Sequence, residues 1–473
     1  MNSWFKQALK ARFLSLICLI CAGLCPTLPL ASQDNLNKQI RFLEEDFTRL
    51  SAKFYKDKSS YTSESKRVIK DIDELLSATN RLVENKQSII AIQLLFFNLD
   101  TVLDNLDHRA VFKFTEILLN NNEWKLANRI FTEIKNLGDR SLLATIQFTF
   151  AKYHAKRNEW KTVSKLLKGI YPDLSPENSA YAYLLNGSAL QRLKKHRPAV
   201  ESYSKIPVTS KYYAYAQLNT AIANIRQGWW TDAQTTIREM IKISQKDNSD
   251  EIINRLYLVL GYALLQREYY RDARNAFRHI GLKSRYTNRA LLGIGLTATS
   301  QGDYVGGLNA LSILKEKKTF DLSVDEAYLL VPYVYEKLQQ ELTVTTSYTE
   351  AMNHYQQRIQ ALTDISAKHT DFSSVSYDDE ASSLIVQNNS LEYGRFFPES
   401  FLRNYHMLNQ FFAVSKHKKI KKLINMLLQK HDKTFQEIVT ILANKRKDHL
   451  KSYLNQSRYG LARLFDNRSE EAK

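Results

Sequence analysis

Apolar residues recur along this chain at intervals of three and four, the period of a helix with one buried face. From Asn35 to Lys56 the stripe is Ile40, Leu43, Phe47, Leu50 and Phe54, and from Ser63 to Glu84 it is Val68, Ile72, Leu75 and Leu82. A third helix is predicted from about Lys86 to Leu106, apolar nearly all round (Ile89, Ile92, Leu95, Phe96, Leu99) and so buried. Beyond it the pattern becomes paired. Twelve residues separate Thr115 from Ala127, Ala151 from Val163, Gly187 from Ala199, Ala221 from Ala233, Gly261 from Ala273, Gly295 from Gly307 and Pro332 from Val344. Four residues past each second member stand Phe131, Leu167, Tyr203, Ile237, Phe277, Leu311 and Tyr348, and three further on Ile134, Ile170, Ile206, Met240, Ile280, Leu314 and Ala351. The pattern predicts seven units in register, each of two paired helical stretches. Just before each second helix sit Trp124, Trp160, His196, Trp230, Tyr270, Tyr304 and Glu341, five of them aromatic.

The unit is clearest from Glu251 to Ile280, which reads Tyr257-x2-Leu260-Gly261-x2-Leu264 and then Ala273-x3-Phe277-x2-Ile280. This resembles the tetratricopeptide (TPR) repeat, W-x2-L-G-x2-Y followed by A-x3-F, with Tyr in place of Trp and Leu in place of the second aromatic. The steps between units, 36, 36, 34, 40, 34 and 37 residues, are close to the repeat length of that family. The resemblance implies an all-α chain built on a TPR-like helical-hairpin solenoid of about seven repeats over residues 107–365. Residues 33–106 read as an N-terminal helical cap with room for one degenerate repeat. A solenoid also explains the length of 473 residues, because each repeat packs only on its neighbours.

The period is lost over residues 366–398, where seven serines and five acids cluster around Asp378-Asp379-Glu380, and the composition predicts a flexible joint. Helical spacing returns over 399–473, first as Phe401, Tyr405, Leu408 and Phe412, then as a longer stripe from Ile420 to Phe465. Two long helices folded back on each other, as a coiled-coil-like basic hairpin or as a C-terminal cap, fit that pattern.

The amino terminus changes the picture of where the protein works. Lys6, Lys10 and Arg12 precede an apolar run from Phe13 to Cys25, closed by Pro26 and small residues. This is the layout of a secretory signal over residues 1–32, or of an inner-membrane anchor through 13–25 where it stays uncleaved. Cys18, Cys21 and Cys25 are the only cysteines, so the remainder of the chain has neither thiol nor disulfide. A periplasmic destination is expected. The formal charge of +18 is uneven: residues 416–468 hold fourteen Lys and Arg against four acids, with Lys416, Lys418, Lys419, Lys421 and Lys422 within seven residues.

Candidate chemistry is sparse. The sequence has no phosphate-binding G-x-x-x-x-G-K-[ST], no H-E-x-x-H and no G-x-S-x-G, and its ten histidines lack ligand spacing. No enzyme, cofactor or metal is expected. In TPR arrays the concave surface is lined by the first helix of each hairpin. Carried over by register, the resemblance implies a partner-binding groove of Lys152, Lys156, Tyr181, Gln191, Arg192, Tyr215, Arg226, Arg255, Tyr262, Arg289, Tyr333 and Lys337. Cations and tyrosines suit an extended, acidic segment of a partner protein. The expected function is a non-enzymatic interaction scaffold of a bacterial cell envelope, whose partners are envelope proteins. The basic stretch suits an anionic membrane surface, an acidic cell-envelope polymer or an acidic partner; nucleic acid is not expected in an exported protein, and serves only as an alternative if the leader reading fails. A second alternative is an enzyme, or an enzyme subunit, whose site gathers Asp371, Asp378, Asp379, Glu380, Glu392, His406, His417 and His431 in the C-terminal region.

Overall fold

A computed structural model of the chain describes residues 30–244, 250–317, 321–378, 383–392 and 399–471. The apolar run from Phe13 to Cys25, and with it the leader expected there, lies outside the described residues. Among the described residues no helix is long and apolar enough to cross a membrane. The helices are α1 (Leu30–Lys56), α2 (Ile72–Glu84), α3 (Ser88–Phe97), α4 (Leu99–Leu103), then seven hairpins. These pair α5 (Arg109–Asn120) with α6 (Trp124–Leu137), α7 (Arg140–Lys156) with α8 (Trp160–Leu166), and α9 (Pro176–Arg192) with α10 (His196–Tyr203). They continue as α11 (Tyr213–Gln227) with α12 (Trp230–Ser244), α13 (Asp250–Gln266) with α14 (Tyr270–Arg278), α15 (Thr287–Ser300) with α16 (Tyr304–Lys315), and α17 (Leu322–Lys337) with α18 (Glu341–Ala367). Strands β1 (Ser376–Asp378), β2 (Ser383–Val386) and β3 (Asn389–Glu392) and helices α19 (Glu399–Val414) and α20 (Lys418–Glu471) complete it. The chain is a TPR-like helical solenoid with a long C-terminal helix. It divides into two compact units, one of residues 31–219 and 395–434, the other of residues 220–394 and 435–473.

One turn recurs through the chain. Each second helix begins at the residue the pattern marks: Trp124, Trp160, His196, Trp230, Tyr270, Tyr304 and Glu341. Two residues earlier the backbone is left-handed every time, at Asn122, Asn158, Lys194, Gly228, Glu268, Gly302 and Gln339, with φ between 57° and 83°. The next N–H then bonds back to the carbonyl five residues before it, from Glu123 to Leu118 at 2.8 Å through Gln340 to Tyr335 at 3.2 Å. This is the Schellman closure of a helix C-terminus, which satisfies the last carbonyls and fixes the chain's exit. Its constant length is why twelve residues always separate the two facing small residues.

The same turn occurs an eighth time. Lys86 has φ 61°, and the Gln87 N–H reaches the Leu82 carbonyl at 2.8 Å. α2 and α3 are therefore a hairpin in register with the rest, with Thr79 and Ala91 as its facing small residues and Leu95 as its wedge, all buried. Thr79 precedes Thr115 by the common step of 36 residues. The helix expected from Lys86 to Leu106 instead breaks at Asn98, whose side chain is used by the backbone: its Oδ1 accepts from Ile69 N–H at 2.7 Å and its Nδ2 donates to the Arg67 carbonyl at 2.9 Å.

Phe277 shows how neighbouring hairpins join. A Cβ at Gly261 would lie 2.5 Å from Cε1 of its ring, and one at Gly293 would lie 2.5 Å from Cε2. The ring is a wedge between the backbones of α13 and α15, a fit that only glycine allows on both sides.

Two expectations for the C-terminal third need correction. Within the expected flexible joint, residues 376–378, 383–386 and 389–392 form a three-stranded antiparallel sheet in the order β1-β2-β3. Gln387 and Asn388, with φ 47° and 62°, make the two-residue turn between β2 and β3, and Val386 pairs with Asn389. Leu384, Val386 and Leu391 are buried. Asp379 and Glu380 lie outside the described residues. The 399–473 segment is not a self-contained hairpin either. α19 and the start of α20 belong to the unit of residues 31–219, while α20 from Phe435 onward belongs to the other. In the first unit Phe411 of α19 stacks on Phe54 with centroids 4.2 Å apart and meets Tyr55 edge-on at 5.5 Å. Arg403 Nη1 donates to the Asn120 carbonyl at 2.8 Å, and Asn404 pairs with Asn122 in a hairpin turn. In the second unit the later part of α20 packs on the last repeat, with Arg446 on Asp325, Arg463 on Glu336 and Gly460 against Tyr348.

Candidate partner-binding site

In the unit of residues 31–219 the first helices of three consecutive hairpins, α5, α7 and α9, enclose a cavity of about 400 Å³. Three of the residues carried over by register line it: Lys152, Lys156 and Tyr181. Glu116, Asn120 and Tyr153 line it as well, and Leu119, Ala155 and Leu185 supply apolar wall. Lys152 Nζ lies 3.3 Å from Glu116 Oε1 and 5.4 Å from the centroid of the Phe148 ring. Burial acts to raise the Glu116 carboxyl, but the ammonium groups of Lys152 and Lys113 outweigh it and hold it below the usual carboxylate range. Lys156 is exposed and donates to the neutral Asn120 Oδ1 at 3.0 Å, so its charge meets no carboxylate there. Tyr181 stacks on Tyr212 at 4.9 Å and 12°, and stands edge-on to Phe148 at 5.7 Å. Burial, with Tyr212 and Glu116 adding to it, raises the Tyr181 phenol, which keeps its proton as a hydrogen-bond donor.

The floor of this face is braced by a network around the α7–α8 turn. Arg157 bridges Glu44 at 2.8 Å and Glu159 at 2.9 Å, and donates to the Tyr153 hydroxyl at 3.2 Å. His154 Nδ1 is 2.5 Å from Glu159 Oε2, and Trp124 stacks on Tyr153 at 5.6 Å. The network fixes the side of α7 that carries Lys152 and Lys156.

The remaining register positions have mixed fates. Arg192 lies over the Trp160 ring at 5.7 Å, and Tyr215 is exposed, both in the same unit as the cavity. Gln191 is buried, accepting from the Tyr203 hydroxyl at 2.8 Å and donating to the Asn219 carbonyl at 2.9 Å. In the other unit Arg226, Arg255, Arg289 and Tyr333 are half-buried, and Lys337 lies over the Tyr333 ring at 5.4 Å. Tyr262 does not line a surface: it is 1% exposed, packs edge-on to Phe277 at 4.8 Å and donates to the Arg289 carbonyl at 2.8 Å. The position one past the seam glycine is thus a core position in that hairpin. Conversely, Glu116 and Asn120 were missing from the expected groove although they hold the same offsets from Thr115 that Lys152 and Lys156 hold from Ala151.

Of the basic cluster, Lys416, Lys418, Lys419 and Lys422 are exposed and Lys421 is half-buried, its Nζ 4.6 Å from the Phe412 ring centroid. The C-terminal residues considered for catalysis are divided. Asp371, Asp378 and Glu392 belong to one unit, and His406, His417 and His431 to the other. His431 is buried, with Nδ1 3.0 Å from the Leu427 carbonyl oxygen and its ring 5.1 Å from Phe401, and burial drives its pKa down to about 4. Among the described residues no group of three His, Cys, Asp or Glu is placed to hold a metal ion.

No family model and no curated protein matches the chain. Among solved structures the chain is similar to the apo form of RapI, with 12% identity, a TM-score of 0.43, and coverage of 78% of this chain and 98% of that one. It is also similar to a tetratricopeptide repeat protein from Parabacteroides merdae, with 13% identity, a TM-score of 0.36, and coverage of 54% and 96%. The apo quorum sensor NprR from B. thuringiensis gives 12% identity, a TM-score of 0.36, and coverage of 75% and 98%. The fold assignment itself rests on the eight repeated turns and the seam between hairpins.

Proposed function

We propose that this chain is a non-enzymatic protein-interaction scaffold that holds an extended segment of a partner protein along the first helices of its hairpins. The observation that carries the reading is the cavity between α5, α7 and α9, with Lys156 at its edge and Tyr181 in its wall. A partner side chain fills the cavity, and a carboxylate nearby pairs with Lys156, whose present partner is a neutral amide. Lys152 is already neutralised by Glu116 and orients the site more than it attracts charge. An extended acidic segment gains several such contacts on successive hairpins, as repeat arrays permit.

The leader-like sequence of residues 1–32 supports work in the cell envelope, with envelope proteins as partners. Cell fractionation with N-terminal sequencing of the exported chain tests the location. Affinity capture from an envelope extract tests the site: the native chain retains defined envelope proteins, and a Lys156→Glu, Tyr181→Ala chain loses them. Equal capture by both chains sinks the cavity as the binding element.

A further inference from the structure

The corner between α19 and α20 carries a second surface, separate from the cavity. From Ser400 to Lys430 the chain has seven Lys and Arg and no Asp or Glu. On α20, Lys419, Lys422, Leu423 and Met426 fall at helical spacing on one side, and Leu423 and Met426 are 41% and 49% exposed. The other side of the same turns is core, with Ile424, Leu427 and His431 buried. The last turn of α19 adds Phe412 and Val414, also exposed, with Lys421 lying over the Phe412 ring at 4.6 Å. Among the described residues none of the five clustered lysines has a carboxylate partner.

Folding does not account for Lys418, Lys419 and Lys422. Lys418, Lys419, Lys421 and Lys422 occupy the start of α20, where the helix dipole is positive and cations are disfavoured. Their mutual repulsion adds to that cost. A surface that holds cations and exposed aliphatic side chains together, against local stability, is suited to a medium that takes up both. We propose that the α19–α20 corner docks on an anionic lipid bilayer, with the lysines among the headgroup phosphates and Leu423 and Met426 in the interface below them. The residue types favour a bilayer over the other polyanions. Single-stranded nucleic acid is held on open aromatic faces, and here the exposed Phe412 ring is covered by Lys421. An acidic peptide would leave the aliphatic pair in water. This surface is independent of the partner-binding reading, and either can fail alone.

The test is flotation of the full chain with vesicles of phosphatidylcholine alone and with about 30% phosphatidylglycerol added. The chain is expected to float with the anionic vesicles only. Each lysine near such a surface is worth about a factor of five, so Lys418→Gln, Lys419→Gln, Lys422→Gln together lowers the partition coefficient about 100-fold. The Leu423→Ser, Met426→Ser chain binds about tenfold more weakly and loses the remainder at about 0.5 M salt, whereas the native chain keeps a salt-resistant fraction. All these positions face solvent, and far-UV circular dichroism checks that the variants stay folded. Flotation that is indifferent to both sets of changes assigns membrane contact to other residues, such as 13–25, and overturns the proposal. So does lysine-dependent binding to a polyglutamate peptide or an oligonucleotide with no binding to the vesicles.

Discussion

Gly460 meets the ring of Tyr348 as Gly293 meets the ring of Phe277. A Cβ built at Gly460 would lie 2.6 Å from Cε1 of Tyr348, and one at Gly293 would lie 2.5 Å from Cε2 of Phe277. Gly293 belongs to the hairpin that follows Phe277, but Gly460 comes 112 residues after Tyr348. The later part of α20 therefore takes the seat that the first helix of a next hairpin would take, and covers the seam that the last repeat leaves open. Terminal repeats need such a cover because a hairpin cannot bury its apolar face alone. A Gly460→Leu chain is expected to lose about 1–3 kcal/mol by overpacking this contact. Urea denaturation followed by circular dichroism reads it, and an unchanged midpoint would show that α20 does not cap the repeats.

The cap is also tied by charge. Asp325 is fully buried on α17, with His354 Nε2 at 2.9 Å, Arg358 Nη1 at 3.4 Å and the Arg446 guanidinium of α20 against its other oxygen. Burial works to raise this carboxyl, but Arg446 and the His354 hydrogen bond outweigh it and hold it below the usual range. A depressed carboxyl contributes stability above its unfolded pKa of about 4, and that stability is lost as pH falls through the folded value. Asp325→Asn removes the carboxylate from between the buried Arg358 and Arg446 guanidinium groups and is expected to cost about 3–5 kcal/mol at neutral pH. Thermal melts of Asp325→Asn, of Arg446→Met and of the pair measure the coupling. Additive losses would remove the proposed tie.

Glu123 titrates in the opposite sense. It is buried beside Ser51, whose hydroxyl donates to Oε2 at 3.0 Å, and burial pushes its pKa up to about 7. A raised carboxyl favours the folded state below its unfolded pKa, and that advantage is lost as pH rises through about 7. The native chain should therefore weaken between about pH 5 and 8, by roughly 3 kcal/mol relative to Glu123→Gln. Denaturant midpoints for both chains across that range test it. Parallel pH profiles would contradict the assignment.

The repeated turns predict stabilising changes. Lys194, Glu268 and Gln339 hold φ of 61°, 64° and 57°, a region where a Cβ is unfavourable. Glycine at each is expected to raise stability by about 0.5–1 kcal/mol after its greater freedom in the unfolded chain is counted, and Gly302→Ala should lower it by a similar amount. Equal melting temperatures for all four variants would mean that the turns carry no strain.

The hairpins were legible in the sequence because their geometry is local. The Schellman turn has a fixed length, so Trp124, Trp160, Trp230, Tyr270 and Tyr304 mark helix starts to the residue. The hairpin of α2 and α3 was legible only as room for one degenerate repeat, because Ser88 replaces the aromatic and Thr79 and Ala91 are unremarkable among many buried residues. The sheet escaped because serines and acids flank its few apolar positions, and two buried apolar positions on β2 and one on β3 are too few for a clear period. Tyr262 was misplaced because register gives the side of a helix but not what the next hairpin lays over it, here the backbone of Arg289. The seating of α20 rests on contacts such as Gly460 with Tyr348, whose partners are distant in sequence and leave no periodic trace.

The central functional claim is that a partner polypeptide lies in the cavity between α5, α7 and α9. Photo-crosslinking in the cell addresses it most directly, with a benzophenone amino acid in place of Tyr181 and, as a control, in place of exposed Arg129 on α6. A discrete crosslinked polypeptide is expected from position 181, lost when Lys156→Glu is added, and none from position 129. No crosslink from position 181, or the same product from both positions, would contradict it.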